Sequence, residues 1–588
     1  MKKVLVLYCA LLLASCATKP TYRPVADMVL TGGNVVTVEP EQPSAEAVAI
    51  VGDKIAAVGT SVEIAAWIGE DTEVIDLRGR TAIPGFIEGH GHYTSFGDSF
   101  YRLELRYESS WQAIVDKVAR AVDRAEPGEW IVGRGWHQDK WSSREDILVD
   151  GIPVHDKLSA VSPGNPVMLI HTSGHAVYAN QAAMTEAGIS GSTVPPEGGE
   201  IVLKADGTPT GMMREAAQDA IRASHARFEA KRTPEQAEAE LRRAIITAGE
   251  ETIKWGITSF QDLGTSFEEV DLLKKMADEG VIPVRLWMAF DLPVEELEVE
   301  GKLEAYRLIG YGNNFLTVRG IGEKVLDGAL GTHGGWLHEP YTDMPSSYGL
   351  NVVPVDDIAR SAELAVEHGY QMAIQGIGDR ATSELLNIYG AIKKANPDKT
   401  DLRWRIEHPQ VVHPADLPRF VEFDVIPAVQ GIFACSDGSW VDDRLGKERR
   451  LERSYLANTF YEAGLVPTNG TDPPVDEINP IASFKCSVTR ELADGSVFQG
   501  QEVYTRDVAL YSYTMGNAIA AFEEDIKGSI KVGKLADIAI LSQDLLTVPN
   551  DKLMDTEIEM TILGGRVVYQ KRQVNSVNVT QAVGYERP

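Results

Sequence analysis

Eight short apolar runs, separated by stretches of helical periodicity, constrain this chain more than any other feature. They fall at 82–87, 256–262, 284–289, 318–327, 371–377, 404–407, 425–430 and 465–472. Strands that alternate with helices read as parallel βα units, because a parallel pair needs a long crossover and both its faces must be covered. Eight such units is the number that closes a barrel filled by its own side chains. The predicted class is therefore α/β, with a (β/α)8 barrel over 84–525. Between the first and second runs, 93–250 is too long for one βα connection and contains strand-like Trp130-Ile131-Val132 and Val167-Met168-Leu169-Ile170, so it reads as an inserted subdomain overhanging the C-terminal strand ends. Short strand-like segments with Gly and Asp turns occupy 27–83, and the same texture returns at 526–575. These two ends are expected to build one composite β-sandwich domain.

The N-terminus reads as an export signal. Met1-Lys2-Lys3 is followed by an apolar run, Val4 to Leu13, too short for a permanent bilayer span, and then by small residues. Leu13-Ala14-Ser15-Cys16 resembles the lipobox of bacterial lipoproteins, in which the cysteine is acylated after cleavage. The expected product loses 1–15, keeps 16–26 as a tether, and sits as an exported lipoprotein at the outer membrane facing the periplasm. Its contact with the membrane would be through the lipid anchor alone. Cys435 and Cys486 remain after Cys9 and Cys16 are accounted for. They show neither CxxC nor zinc-ribbon spacing, and they read as buried small residues with no disulfide claimed.

The formal charge of −30, from 86 acidic against 56 basic residues with no dense basic run, excludes nucleic acid as a partner. A small-molecule substrate is expected, and a homo-oligomer is left open.

The first run ends in His90-Gly91-His92, and residues i and i+2 of a strand share a face, so both imidazoles can address one metal ion. His-x-His alone is weak. Its setting, Pro84-Gly85-Phe86-Ile87-Glu88-Gly89-His90-Gly91-His92, resembles the opening motif of the amidohydrolase superfamily. The resemblance continues through Gly256-Ile257-Thr258-Ser259, Asp327-Gly328-Ala329-Leu330-Gly331, Gly378-Asp379-Arg380-Ala381, Ile406-Glu407-His408-Pro409-Gln410, Thr471-Asp472-Pro473-Pro474 and the segment Gly528 to Asp537. It matches the branch containing N-substituted formamide deformylases and covers nearly the whole chain after the signal.

That resemblance implies a zinc-type centre of one or two divalent metals. His90, His92 and Asp472 would ligate one metal, and His408 a second. Lys324 matches a lysine that relatives carbamylate to bridge the two. Asp472 would also shuttle the proton, with capping of the helix after it as the rival role. Gln375 stands where relatives carry histidine, and an amide oxygen is a poorer zinc ligand, so one tightly held metal is expected. His175 matches a position commonly histidine and would stabilise a substrate oxyanion. His137 lies in an aromatic segment that reads as pocket wall or as core. His333 is a further candidate to replace the missing histidine.

The activity implied is hydrolysis of a non-peptide C–N bond, amide- or formamide-like, in a small molecule. Two alternatives stand beside it: a catalytically impaired lipoprotein binding module, supported by Gln375, and a cyclic amide hydrolase or deaminase.

Overall fold

A computed structural model describes residues 25–142, 148–149 and 151–572. The signal and tether expectations lie almost wholly outside them, and Cys16 does so entirely. The centre is a nearly closed parallel sheet of seven strands: Phe86–Gly91, Ile257–Thr265, Arg285–Phe290, Leu316–Val325, Gln371–Gln375, Arg405–Glu407 and Ile426–Ala428. Every adjacent pair runs parallel. Helices on its outer surface bury apolar stripes against it. Phe267–Glu279, for example, is capped by the Ser266 hydroxyl, which accepts from the Glu269 amide at 3.1 Å, and buries Val270, Leu273 and Met276 on one face. At roughly 1.5–3 kcal/mol per large apolar side chain, three such residues hold a helix of this length to the sheet.

Two of the eight expected strands differ in the structure. The run 82–87 is divided at Gly85: Thr81–Pro84 joins another sheet and Phe86–Gly91 opens the barrel. A Cβ on Gly85 would lie 2.2 Å from Thr258 Oγ1, so only glycine lets the chain cross there. The eighth run, 465–472, forms no ladder strand. It contains Pro467, Asn469 and Gly470, residues depleted in strands, and it bridges the gap with isolated bonds. The Gly89 amide donates to Asn469 O at 3.2 Å and the Asp472 amide to His90 O at 3.0 Å. On the other side the Val429 amide donates to Thr468 Oγ1 at 3.1 Å, and Asn517 Nδ2 donates to both Ile87 O and Asn469 O at 2.7 Å.

A mixed six-stranded sheet spans 103–215 within the insertion, with its own apolar clusters on both faces. The helices that flank it, Tyr93–Ser99 and Pro234–Ile253, pack instead on the barrel core through Tyr93, Phe96, Ile245 and Ala248. At the chain ends, a four-stranded sheet comes from the N-terminal residues alone, and a six-stranded sheet combines Asn34–Val36, Ser44–Ala45 and Thr81–Pro84 with Ile538–Leu541, Ile558–Leu563 and Arg566–Gln570. Met28, Leu30, Val48 and Ile50 of the first share one buried cluster with Ile538, Ile540 and Ile562 of the second.

Candidate metal centre

Three strands and the eighth segment deliver five side chains to one point at the barrel mouth. His90 and His92 come from the first strand and its end, and His408 follows the sixth. Asp472 ends the eighth segment. His408 (φ 53°) and Asp472 (φ 55°) both adopt the left-handed backbone region, a cost that packing has to cover. The fifth group is Glu323. The fourth and fifth strands pair Gly322 with Ala373 and Lys324 with Ile374, leaving Glu323 as an extra residue in the ladder. Such a bulge re-aims a side chain, and here it turns the carboxylate toward the histidines.

Glu323 Oε2 lies 3.4 Å from His90 Nε2 and 3.8 Å from His92 Nε2, while its Oε1 lies 3.2 Å from His408 Nε2. Asp472 repeats the pattern: Oδ1 is 3.6 Å from His90 Nε2 and 3.4 Å from His92 Nε2, and Oδ2 is 3.6 Å from His408 Nε2. Zinc–ligand bonds of ~2.0–2.2 Å put the ligand atoms of a tetrahedral site about 3.4 Å apart, so these spacings fit one shared cation.

The outer ring nitrogens are all engaged. His90 Nδ1 meets Glu407 Oε2 at 2.8 Å, His92 Nδ1 meets Leu263 O at 2.8 Å and His408 Nδ1 meets Gln430 Oε1 at 2.5 Å. Each acceptor fixes the proton on Nδ1 and leaves an Nε2 lone pair for the centre. His90 Nε2, Glu323 Oε1 and Asp472 Oδ1 are buried without a hydrogen-bond partner, a costly arrangement that a cation resolves. The electrostatics agree. Burial disfavours a charged imidazole, yet Glu323 and Asp472 push the His90 pKa well above the ordinary value. Burial likewise penalises the Glu323 carboxylate, but His90 and His408 hold it well below the usual range.

Lys324, expected as a carbamylated bridge, is not in this cluster. It pairs across the ladder with Ile374, whose side chain belongs to the apolar core under the outer helices, and its Nζ donates to Leu292 O. Glu323, one residue earlier, takes the bridging orientation expected of it. Gln375 faces the mouth, but its Nε2 donates to Asp327 O at 2.5 Å and lies 3.3 Å from His175 Nε2. The carbonyl can only accept, so the amide nitrogen is committed and Oε1 is the atom left. His175 sits beside it with Nδ1 on Glu215 Oε2 at 2.8 Å. Burial pulls the His175 pKa down, but Glu215 raises it above the ordinary value. His333 does not stand in for the missing histidine: it lies against Asp343, outside the cluster. Glu323, Glu407, Gln430 and Glu215 escaped the sequence reading. Strand alternation could have flagged Glu407, two residues from buried Arg405, but Glu323 needs the bulge to be known.

Two cavities meet at the cluster, and Ser173, His175, Gln375, His408 and Asp472 line both. One, of about 70 Å³, is walled by His137, His171, Phe433 and Trp440. The other, of about 430 Å³, runs past His92 and Glu323 to Arg134 and Arg222. His137 is thus pocket wall, whereas its neighbour Trp136 is core.

Comparison with known proteins bears on the family and the fold. The chain is 30% identical over 562 residues to Protein LONG AFTER FAR-RED 3 of Arabidopsis thaliana, covering 93% of this chain and 92% of that protein. It is 24% identical over 551 residues to the N-substituted formamide deformylase of Arthrobacter pascens, covering 93% and 98%. An uncharacterised metal-dependent hydrolase from Pyrococcus horikoshii OT3 shares the fold, with a TM-score of 0.69, 24% identity, and coverage of 89% of this chain and 99% of that one. The model of the amidohydrolase family matches residues 73–569, and the chain belongs to that family of hydrolases.

Proposed function

We propose that this protein hydrolyses an amide- or formamide-like C–N bond of a small molecule, with His90, His92, His408, Glu323 and Asp472 holding a zinc-type divalent ion. The observation that carries the reading is the convergence of three Nε2 atoms and two carboxylates, with His90 Nε2, Glu323 Oε1 and Asp472 Oδ1 buried and unpartnered. A bound ion supplies Lewis acidity, which makes water nucleophilic near neutral pH and polarises a carbonyl. Asp472 accepts the water proton and passes it to the leaving nitrogen, as general base and then general acid. His175 is braced by Glu215 at the edge of both cavities, and when it carries its second proton it can donate to the developing oxyanion. The formamide deformylase among the relatives supports the choice of bond. The Cys435–Cys486 disulfide, with Cα atoms 6.0 Å apart, supports an exported protein, because such bonds persist in oxidising compartments.

Elemental analysis of the purified chain tests the reading. About one equivalent of zinc or a similar ion per chain is expected. A chelator should abolish hydrolysis across an amide panel, and added metal should restore it. A chain that binds no divalent ion under any condition would refute it.

A further inference from the structure

In a chain of net charge −30, the larger cavity beside the cluster is bounded by two arginines that form no ion pair among the described residues, Asp472 acting on Arg134 and Asp219 on Arg222 only at longer range. Arg134, from the inserted sheet, gives one Nη2 to Thr172 O at 3.3 Å, and its Nε is buried with no partner. Arg222, on the helix Asp219–Glu229, reaches only neutral acceptors: Gln218 Oε1 at 2.9 and 3.0 Å and Gly174 O at 3.2 Å. Among the described residues, no carboxylate lies within ion-pair distance of either guanidinium. The acids that line the same cavity are engaged elsewhere or stand apart. Glu215 holds His175, Glu323 and Asp472 belong to the cluster, and Asp219 and Asp291 form no ion pair with either arginine. Burial, followed by repulsion from Arg222, brings the Arg134 pKa down to about 9, with Asp472 opposing. Holding a half-buried guanidinium whose buried Nε has no partner costs free energy that an anion in the cavity would recover.

We infer that the substrate carries a carboxylate on the part that enters this cavity, and that Arg134 is the residue that selects it. A guanidinium presents a planar fork of donors that matches a carboxylate. With the scissile carbonyl at the cluster, the carboxylate extends toward Arg134 and Arg222, and an apolar or aromatic portion is left for the side walled by Phe433 and Trp440. The inference rests on the amide-hydrolase reading above and narrows its substrate to acidic amides.

Two probes that differ only in charge test it: N-acetyl-phenylalanine and its carboxamide, titrated calorimetrically into the full zinc-loaded chain. The wild type should bind the carboxylate roughly 10- to 100-fold more tightly, the range of a hydrogen bond to a charged group. Arg134→Gln should erase that difference with zinc content unchanged. Arg134→Lys, which keeps the charge and most of the volume, should retain a preference of a few fold. Equal binding of the two probes, no binding of either, or a preference that survives Arg134→Gln, as it would if the carboxylate sat on the metal, overturns the inference. Zinc is measured on the same samples. One equivalent of zinc without a carboxylate preference sinks this inference alone, whereas absence of zinc sinks the metal reading.

Discussion

Glu323 and Lys324 are neighbours with opposite orientations, and a pair of variants separates their roles. Glu323→Gln keeps the shape and removes the charge that all three imidazoles face, so zinc should fall well below one equivalent after dialysis. Lys324→Met, on the outer side of the ladder, should leave zinc content unchanged; a loss of zinc there would restore the lysine as a ligand. Glu407→Gln tests the carboxylate that orients His90. Removing such a partner typically costs ~10- to 100-fold in metal affinity, which a competition titration with a chromogenic chelator will show. Gln375 bears on metal number. With its nitrogen spent on Asp327 O, it has one weak oxygen to offer, so a second ion should appear only at high metal concentration or in Gln375→His. Two tightly held ions in the wild type would contradict this.

Among the elements, the Cys435–Cys486 bridge joins the helix Phe433–Asp437 to the helix Pro480–Thr489. The first helix carries Phe433 and Asp437 of the cavity wall, so the bond clamps that wall to the segment following Asp472. Closing a loop of 51 residues is worth up to about 4 kcal/mol in chain entropy. Cys435→Ala/Cys486→Ala should therefore lower the thermal midpoint measurably while keeping zinc; an unchanged midpoint would show that the bridge does not form. Spacing in the sequence could not reveal this pair, because pairing depends on a distance between two separate helices. Six of the seven ladder strands were legible because buried parallel strands carry apolar runs, whereas the run 82–87 was read as one strand although Gly85 divides it between two sheets. The eighth was placed correctly but read as a strand, although Pro467 and Gly470 spoil the ladder and side chains such as Asn469 and Asn517 carry the bonds. Glu323 was passed over because the resemblance put the bridging role on Lys324, and only the bulge, invisible in the sequence, turns its neighbour toward the histidines.

For the molecule as a whole, the two chain ends depend on each other. Cutting at residue 525 would remove Ile538, Ile540 and Ile562, which are 0–2% exposed. At ~1.5–3 kcal/mol each, these three alone represent roughly 5–9 kcal/mol, comparable with the whole stability of a typical domain. The truncated chain should be insoluble or unfolded, as expression and circular dichroism will show. At the other end, lipidation at Cys16 stays a proposal. Radiolabelled palmitate should enter the wild type and not Cys16→Ala, and an unlabelled wild type would refute it.

The residues of the cluster all come from the barrel, whereas Arg134 comes from a strand of the insertion and His137 and His175 from loops beside its strands. The ion cluster and the arginine proposed to select the substrate therefore reside on separate stretches of chain that meet at the cavity edge, while His175 stays on the insertion and Phe433 and Trp440 on the barrel. A chimera that accepts 103–215 from another family member should keep its metal content, because no residue of the ion cluster lies in that block, while its preference for a carboxylate follows the residue that replaces Arg134. In this architecture, the block that carries Arg134 can be rewritten without touching any residue of the ion cluster.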